Sequence, residues 1–229
     1  LDPETIADLD LYRHGVAYAA RRMDTAYFFE DGRSLEVDGD LINAAARIEE
    51  DIGGGVAQLM AVKHPEKVNA IVLIDSVCFD SWPIPEFAPL LEPGVEEKTT
   101  TDELVNILKD FMPKGVYDES VMTEDLVRLY VGQWSSDQGK AAMFRNLRRL
   151  NNEYTQAITD ELKHLPHKTL ILWGDHDNFQ KPEYAPQLAQ TIPNASLVWL
   201  ENAGHWSIDE QPEKVTKLIG DFLQQNGNH

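Results

Sequence analysis

The chain has 229 residues, 42% of them hydrophobic and 26% charged, which is the composition of one globular domain able to bury a substantial core. Its formal net charge of −19 argues against nucleic acid and anionic membrane surfaces as partners. The single cysteine, Cys78, excludes an intramolecular disulfide and favours a cytoplasmic home, and neither a membrane-spanning run nor a leader pattern is expected.

In chain order, residues 2–22 read as a helix, with Asp2 as N-cap and Pro3 at the first helical position. Residues 25–30 and 34–37 flank Asp31-Gly32, a hairpin signal, and Asp40 opens a second helix through Ile48. This gives residues 1–50 an atypical helix–hairpin–helix character. Next comes Asp51-Ile52-Gly53-Gly54-Gly55-Val56-Ala57-Gln58, running into an apolar helix that stops at His64-Pro65. An acidic side chain followed by glycines and a helix is how a sharp turn delivers a nucleophile to helix N–H donors. Asp51 is equally suited to be a simple N-cap of the helix over 54–63.

Residues 70–75, Ala-Ile-Val-Leu-Ile-Asp, predict a fully buried parallel strand. From 81 to 165 the pattern is helical, aromatic and broken by prolines, with helices expected over 101–111, 118–134, 141–150 and 153–165. In the 118–134 helix, Val121, Leu126, Leu129 and Tyr130 are expected to share one side. No flexible linker borders this block, so it reads as a cap inserted between two strands of one sheet, the remainder of the core being 51–80 and 166–229. Strands over 169–174 and 196–200 alternate with helices over 182–191 and 212–224, as in a parallel α/β sheet.

Two motifs fall past strand C-termini, where such a sheet places its functional loops. Trp173-Gly174-Asp175-His176-Asp177 follows one strand, and Asn202-Ala203-Gly204-His205-Trp206 follows the last. Together with Asp51-Ile52-Gly53-Gly54-Gly55, over about residues 51–225, they resemble the α/β-hydrolases, in the dehalogenase-like branch that has aspartate in place of the nucleophilic serine. The resemblance implies an α/β fold: an incomplete, N-terminally altered α/β-hydrolase parallel sheet with a helical cap. It also implies Asp51 as nucleophile, Asp177 as orienting acid, His205 as general base and the Ile52 backbone N–H as oxyanion donor. Asp175 and Asp75 are the alternatives for the acid. Trp82, Tyr130, Trp134, Phe144 and Trp206 are candidates for a substrate pocket, with core and cap packing as their other reading.

The implied function is hydrolysis of a small organic substrate, leaning to carbon–halogen or epoxide-like bonds because a carboxylate there forms an alkyl-enzyme ester. Carboxylic-ester or lactone hydrolysis is the alternative, with Ser76, Cys78 or Ser81 as nucleophile. A third reading is a hydrolase remnant that acts as a binding or oligomerisation module. The sequence departs from the family on both sides of residue 51: Glu49-Glu50 stands where the family has Gly-His, His14-Gly15 lies inside a predicted helix, and Ile52 stands where haloalkane dehalogenases place a halide-binding tryptophan. Residues 1–50 are therefore expected to cover a sheet edge or exchange with a second copy, giving a homodimer. No cofactor or metal is implied, because the histidines and carboxylates lack ligand spacing.

Overall fold

The computed structural model describes residues 27–28, 34–35 and 52–226. The expected helices over 2–22 and 40–48, Asp51 itself, and the proposed exchange of residues 1–50 lie outside them. Within the N-terminal segment, β1 (Tyr27–Phe28) and β2 (Ser34–Leu35) pair antiparallel, Tyr27 opposite Leu35, around the Asp31-Gly32 turn signal.

The main sheet has three described strands, β3 (Ala70–Ile74), β4 (Lys168–Gly174) and β5 (Ala195–Leu200), parallel and in that spatial order. Ala70 pairs with Lys168 and Thr169 with Ala195, so the three C-terminal ends reach one edge together. Side chains alternate across a strand. Ile71, Leu73, Ile171 and Trp173 therefore face one layer, packing with Ala57, Met60 and Ala61 of α1 (Ile52–Lys63) and with more C-terminal residues, Leu188 and Ile192 among them. Val72, Leu170 and Leu172 face the other layer, against Val215 and Leu218 of the closing helix, Pro212–Asn226. Beyond its first residue, β4 is buried along its whole length, as a strand covered on both faces must be.

Between β3 and β4 the chain makes the helical cap, with a core of its own. Its main helices are α2 (Thr101–Phe111), α3 (Glu124–Val131) and α4 (Asp137–Leu147). α2 starts at a capping box: Thr100 Oγ1 accepts the Glu103 N–H while Glu103 accepts the Thr100 N–H. The single helix expected over 118–134 is three pieces. A 3-10 turn, Glu119–Val121, precedes α3, and another, Gly132–Trp134, follows it. Thr123 is the reason, since its hydroxyl accepts the Leu126 N–H and starts the helix anew. The inward stripe is then Val127 and Val131, one turn apart, while Leu129 is 77% exposed. The helix expected over 153–165 is likewise two short ones, Glu153–Ala157 and Thr159–Leu162. After β4, α5 (Tyr184–Thr191) leads into β5, and α6 (Pro212–Asn226) ends the described chain. No helix among the described residues is long and apolar enough to cross a membrane.

Candidate active site

The C-terminal edge of the sheet gathers three loops, each turning sharply as its strand ends. After β3, Asp75 adopts φ 43°, and after β5, Asn202 adopts φ 56°, left-handed values that aspartate and asparagine tolerate better than most residues. The loops after β4 and β5 meet almost backbone to backbone. A Cβ at Gly174 would lie 2.2 Å from the Gly204 carbonyl oxygen, so only glycine fits there. That approach brings Asp177 of one motif to His205 of the other.

His205 Nδ1 and Asp177 Oδ2 are 3.0 Å apart, with the histidine 1% and the aspartate 3% exposed. The other carboxylate oxygen, Oδ1, accepts the backbone N–H groups of Phe179 at 2.7 Å and Gln180 at 2.9 Å. Asp177 is thus fixed by its own loop before it meets the imidazole, and the contact fixes the ring's orientation. The two alternative acids are engaged elsewhere. Asp175 Oδ1 is 2.7 Å from His176 Nδ1; its carboxyl is partly desolvated, yet the bond to His176 and backbone N–H groups hold it below the usual range. Asp75 is fully buried, accepting the Gly174 N–H at 2.7 Å and the Ser207 hydroxyl at 2.5 Å.

The three alternative nucleophiles are also committed. Ser76 Oγ donates to the Val77 carbonyl and accepts from Gln58 Nε2. Ser81 Oγ accepts the Cys78 N–H, and burial, reinforced by Asp80, pushes the Cys78 thiol far up, which leaves it protonated and inert. Asp51 precedes α1 directly but lies outside the described residues, and of Ile52 the structure describes only its place as first residue of that helix.

Aromatic rings cover the imidazole. Phe179 and Trp206 both meet it edge-on, with centroids 5.3 and 4.9 Å away, and Phe111 of the cap stacks on Phe179 at 4.5 Å. Of the expected pocket residues, Trp206 touches His205, Tyr130 touches Trp206 at 5.4 Å, and Trp82 joins Phe179 in the same apolar cluster. Phe144 and Trp134 pack in the cap core, whose members include Leu104 and Leu108, and Phe144 is 1% exposed there. Phe179 was missed as a site residue; its position two places after Asp177 was the only available signal. His167 is buried outside this site, with Nε2 2.9 Å from the Pro65 carbonyl. A depression lined by Lys98, Thr99, Glu103, Asn106, Ile107 and Asp110 shares no residue with this site. No group of three potential metal ligands occurs among the described residues.

A parallel sheet with a helical insertion, and an acid–histidine pair on the loops past its last two strands, defines an α/β-hydrolase architecture. Residues 50–212 match the model of the alpha/beta hydrolase fold family, and the chain belongs to that family. It is 28% identical over 220 residues to a 2-hydroxymuconate semialdehyde hydrolase of Pseudomonas putida, covering 92% of this chain and 74% of the relative. A putative esterase/lipase of Haemophilus influenzae is 25% identical over 229 residues, covering 97% of this chain and 75% of the relative. The structure of a thermophilic esterase from Thermogutta terrifontis superposes with a TM-score of 0.61 at 26% identity, over 78% of this chain and 64% of the esterase. Relatives and fold together indicate a hydrolase.

Proposed function

We propose that the chain hydrolyses small, largely apolar carbonyl compounds, carboxylic esters foremost, with His205 as general base and Asp177 as its orienting acid. The observation that carries this reading is the buried 3.0 Å contact between them, backed by two backbone N–H groups on the second carboxylate oxygen. With Nδ1–H donating to Asp177, the ring uses Nε2 to take a proton from the attacking oxygen and later return it to the leaving group. Asp177 stabilises the imidazolium in between. The rings of Phe179, Trp206 and Phe111 suit an apolar acyl or aryl group. The names of the relatives, an esterase and a hydrolase of 2-hydroxymuconate semialdehyde, support carbonyl substrates over halides.

The aspartate at position 51 favours a second reading. A carboxylate there, at the head of α1, displaces halide or opens an epoxide to leave an alkyl ester on the enzyme, which water activated by His205 then cleaves. For an ester substrate, water activated directly by His205 avoids the mixed anhydride that attack by Asp51 would leave. One turnover in ¹⁸O-labelled water separates the two routes: the label enters the carboxylate of Asp51 when that residue is the nucleophile and the acid product when water attacks directly.

The test is a panel of p-nitrophenyl esters, 2-hydroxymuconate semialdehyde, epoxides and haloalkanes, assayed with the parent chain, His205→Ala and Asp177→Asn. Each substitution is expected to lower turnover about 10²- to 10⁴-fold. Turnover that survives His205→Ala overturns the assignment, and no turnover on any class returns the chain to the reading of a hydrolase remnant.

A further inference from the structure

The peptide groups on both sides of His205 are tied to the cap. On the C-terminal side, the Trp206 N–H donates to the Gly115 carbonyl at 3.1 Å. On the N-terminal side, the Gly204 N–H donates to Glu210 Oε2 at 2.6 Å, and Glu210 Oε1 accepts the N–H groups of Tyr117 at 2.7 Å and Asp118 at 3.0 Å. One carboxylate therefore collects three backbone donors, two from the cap and one from the residue preceding the imidazole. Further bonds cross the same junction: Trp206 Nε1 to the Met112 carbonyl, Tyr130 Oη to Asp209 Oδ2, and Asn178 Nδ2 to the Lys114 carbonyl.

We propose that Glu210 is a positioning residue for His205, coupling the placement of the imidazole to the seating of cap residues 115–118. The role rests on the reading of His205 as general base. Its physical basis is the convergence of the three donors. Their N–H dipoles point at one place and repel each other unless an anion sits there, and a carboxylate makes the strongest such bonds. The approach it holds closed is already tight, since a Cβ at Gly204 would lie 2.4 Å from the Gly115 oxygen. Without the carboxylate, the buried Gly204 N–H loses its partner and the two backbones separate. His205 is the next residue, and its contact with Asp177 works only within narrow geometry. The other titratable groups at this junction are Asp118, held by the Ser120 N–H, Asp209, held by Tyr130, and His176, which meets Tyr117 and Asp175. Behind the loop, Asp75 reaches it through Ser207.

The experiment compares Glu210→Ala, Glu210→Gln and Thr101→Ala with the parent. It uses ¹⁵N-histidine NMR titration of His205, its signal identified by loss in His205→Ala, and p-nitrophenyl acetate kinetics. Glu210→Ala is expected to move the His205 midpoint by at least about half a pH unit and to lower kcat about ten- to a hundredfold, with KM within about threefold. Glu210→Gln keeps an acceptor and recovers part of both changes. Thr101→Ala, which removes a cap bond not made by Glu210, from Thr101 Oγ1 to Asp137 Oδ1, leaves the midpoint in place. If Glu210→Ala and Glu210→Gln both retain the parent midpoint and kcat, the proposal is overturned, even where their melting temperatures fall. Should Glu210→Ala fail to fold, Glu210→Gln decides alone, an unmoved midpoint being the adverse result. If His205→Ala leaves turnover intact, the base assignment fails, while the NMR comparison still reports whether Glu210 places the ring.

Discussion

Gly174 shows how one missing side chain decides whether a site exists. The Asp177–His205 contact needs two loops closer than any Cβ permits, so the contact depends on the glycine although it carries no functional group. Gly174→Ala is expected to lower stability by roughly 1–3 kcal/mol, the usual cost of overpacking, and to weaken turnover by parting the pair. Urea denaturation and esterase assays check both. Cys78 offers a second residue-level test. Its thiol is buried and held protonated, so a disulfide exchange reagent is expected to react with it only after denaturant unfolds the chain. The Asp177–His205 contact could be anticipated from sequence because each residue follows a strand signal within a short motif. Glu210 could not: an acidic residue on a chain with 39 carboxylates carries no mark, and its partners, Tyr117 and Asp118, lie more than ninety positions earlier.

Among the elements, β4 was the plainest in the sequence, since its run of apolar residues matches a strand covered on both faces. The segment around 118–134 was not, because apolar periodicity continues across a break that only the Thr123 hydroxyl reveals. Local capping outweighs periodicity there. The start of α2 gives a pH-dependent test. The N–H and hydroxyl of Thr100 hold the Glu103 carboxyl below the usual glutamate range. A depressed folded-state pKa contributes stability above the unfolded value and loses it as pH falls through the folded one. The urea midpoint of Thr100→Ala is therefore expected to lie below that of the parent at neutral pH. The gap narrows as the solution is acidified below the ordinary glutamate pKa. A gap independent of pH would mean that the Thr100 hydroxyl takes no part in holding the Glu103 carboxylate.

For the molecule as a whole, strand pairing across the inserted cap has a kinetic consequence. Ala70 and Lys168 are neighbours in the sheet but 98 residues apart in the chain. Bringing such distant segments together costs chain entropy before any contact is gained, and topologies of this kind reach the native state slowly. The intervening helices have a core of their own, built from residues 104–147, and need not wait for the sheet. Refolding followed by pulsed hydrogen exchange is expected to protect amides of α2 and α4 before those of β3 and β4. Simultaneous protection would mean that helices and strands form as one unit. If the order holds, the last event in the birth of this enzyme is also the one that assembles its reactive loops. A chain caught midway would then carry a finished roof over an unbuilt floor, with its greasy strand edges open to aggregation rather than to substrate.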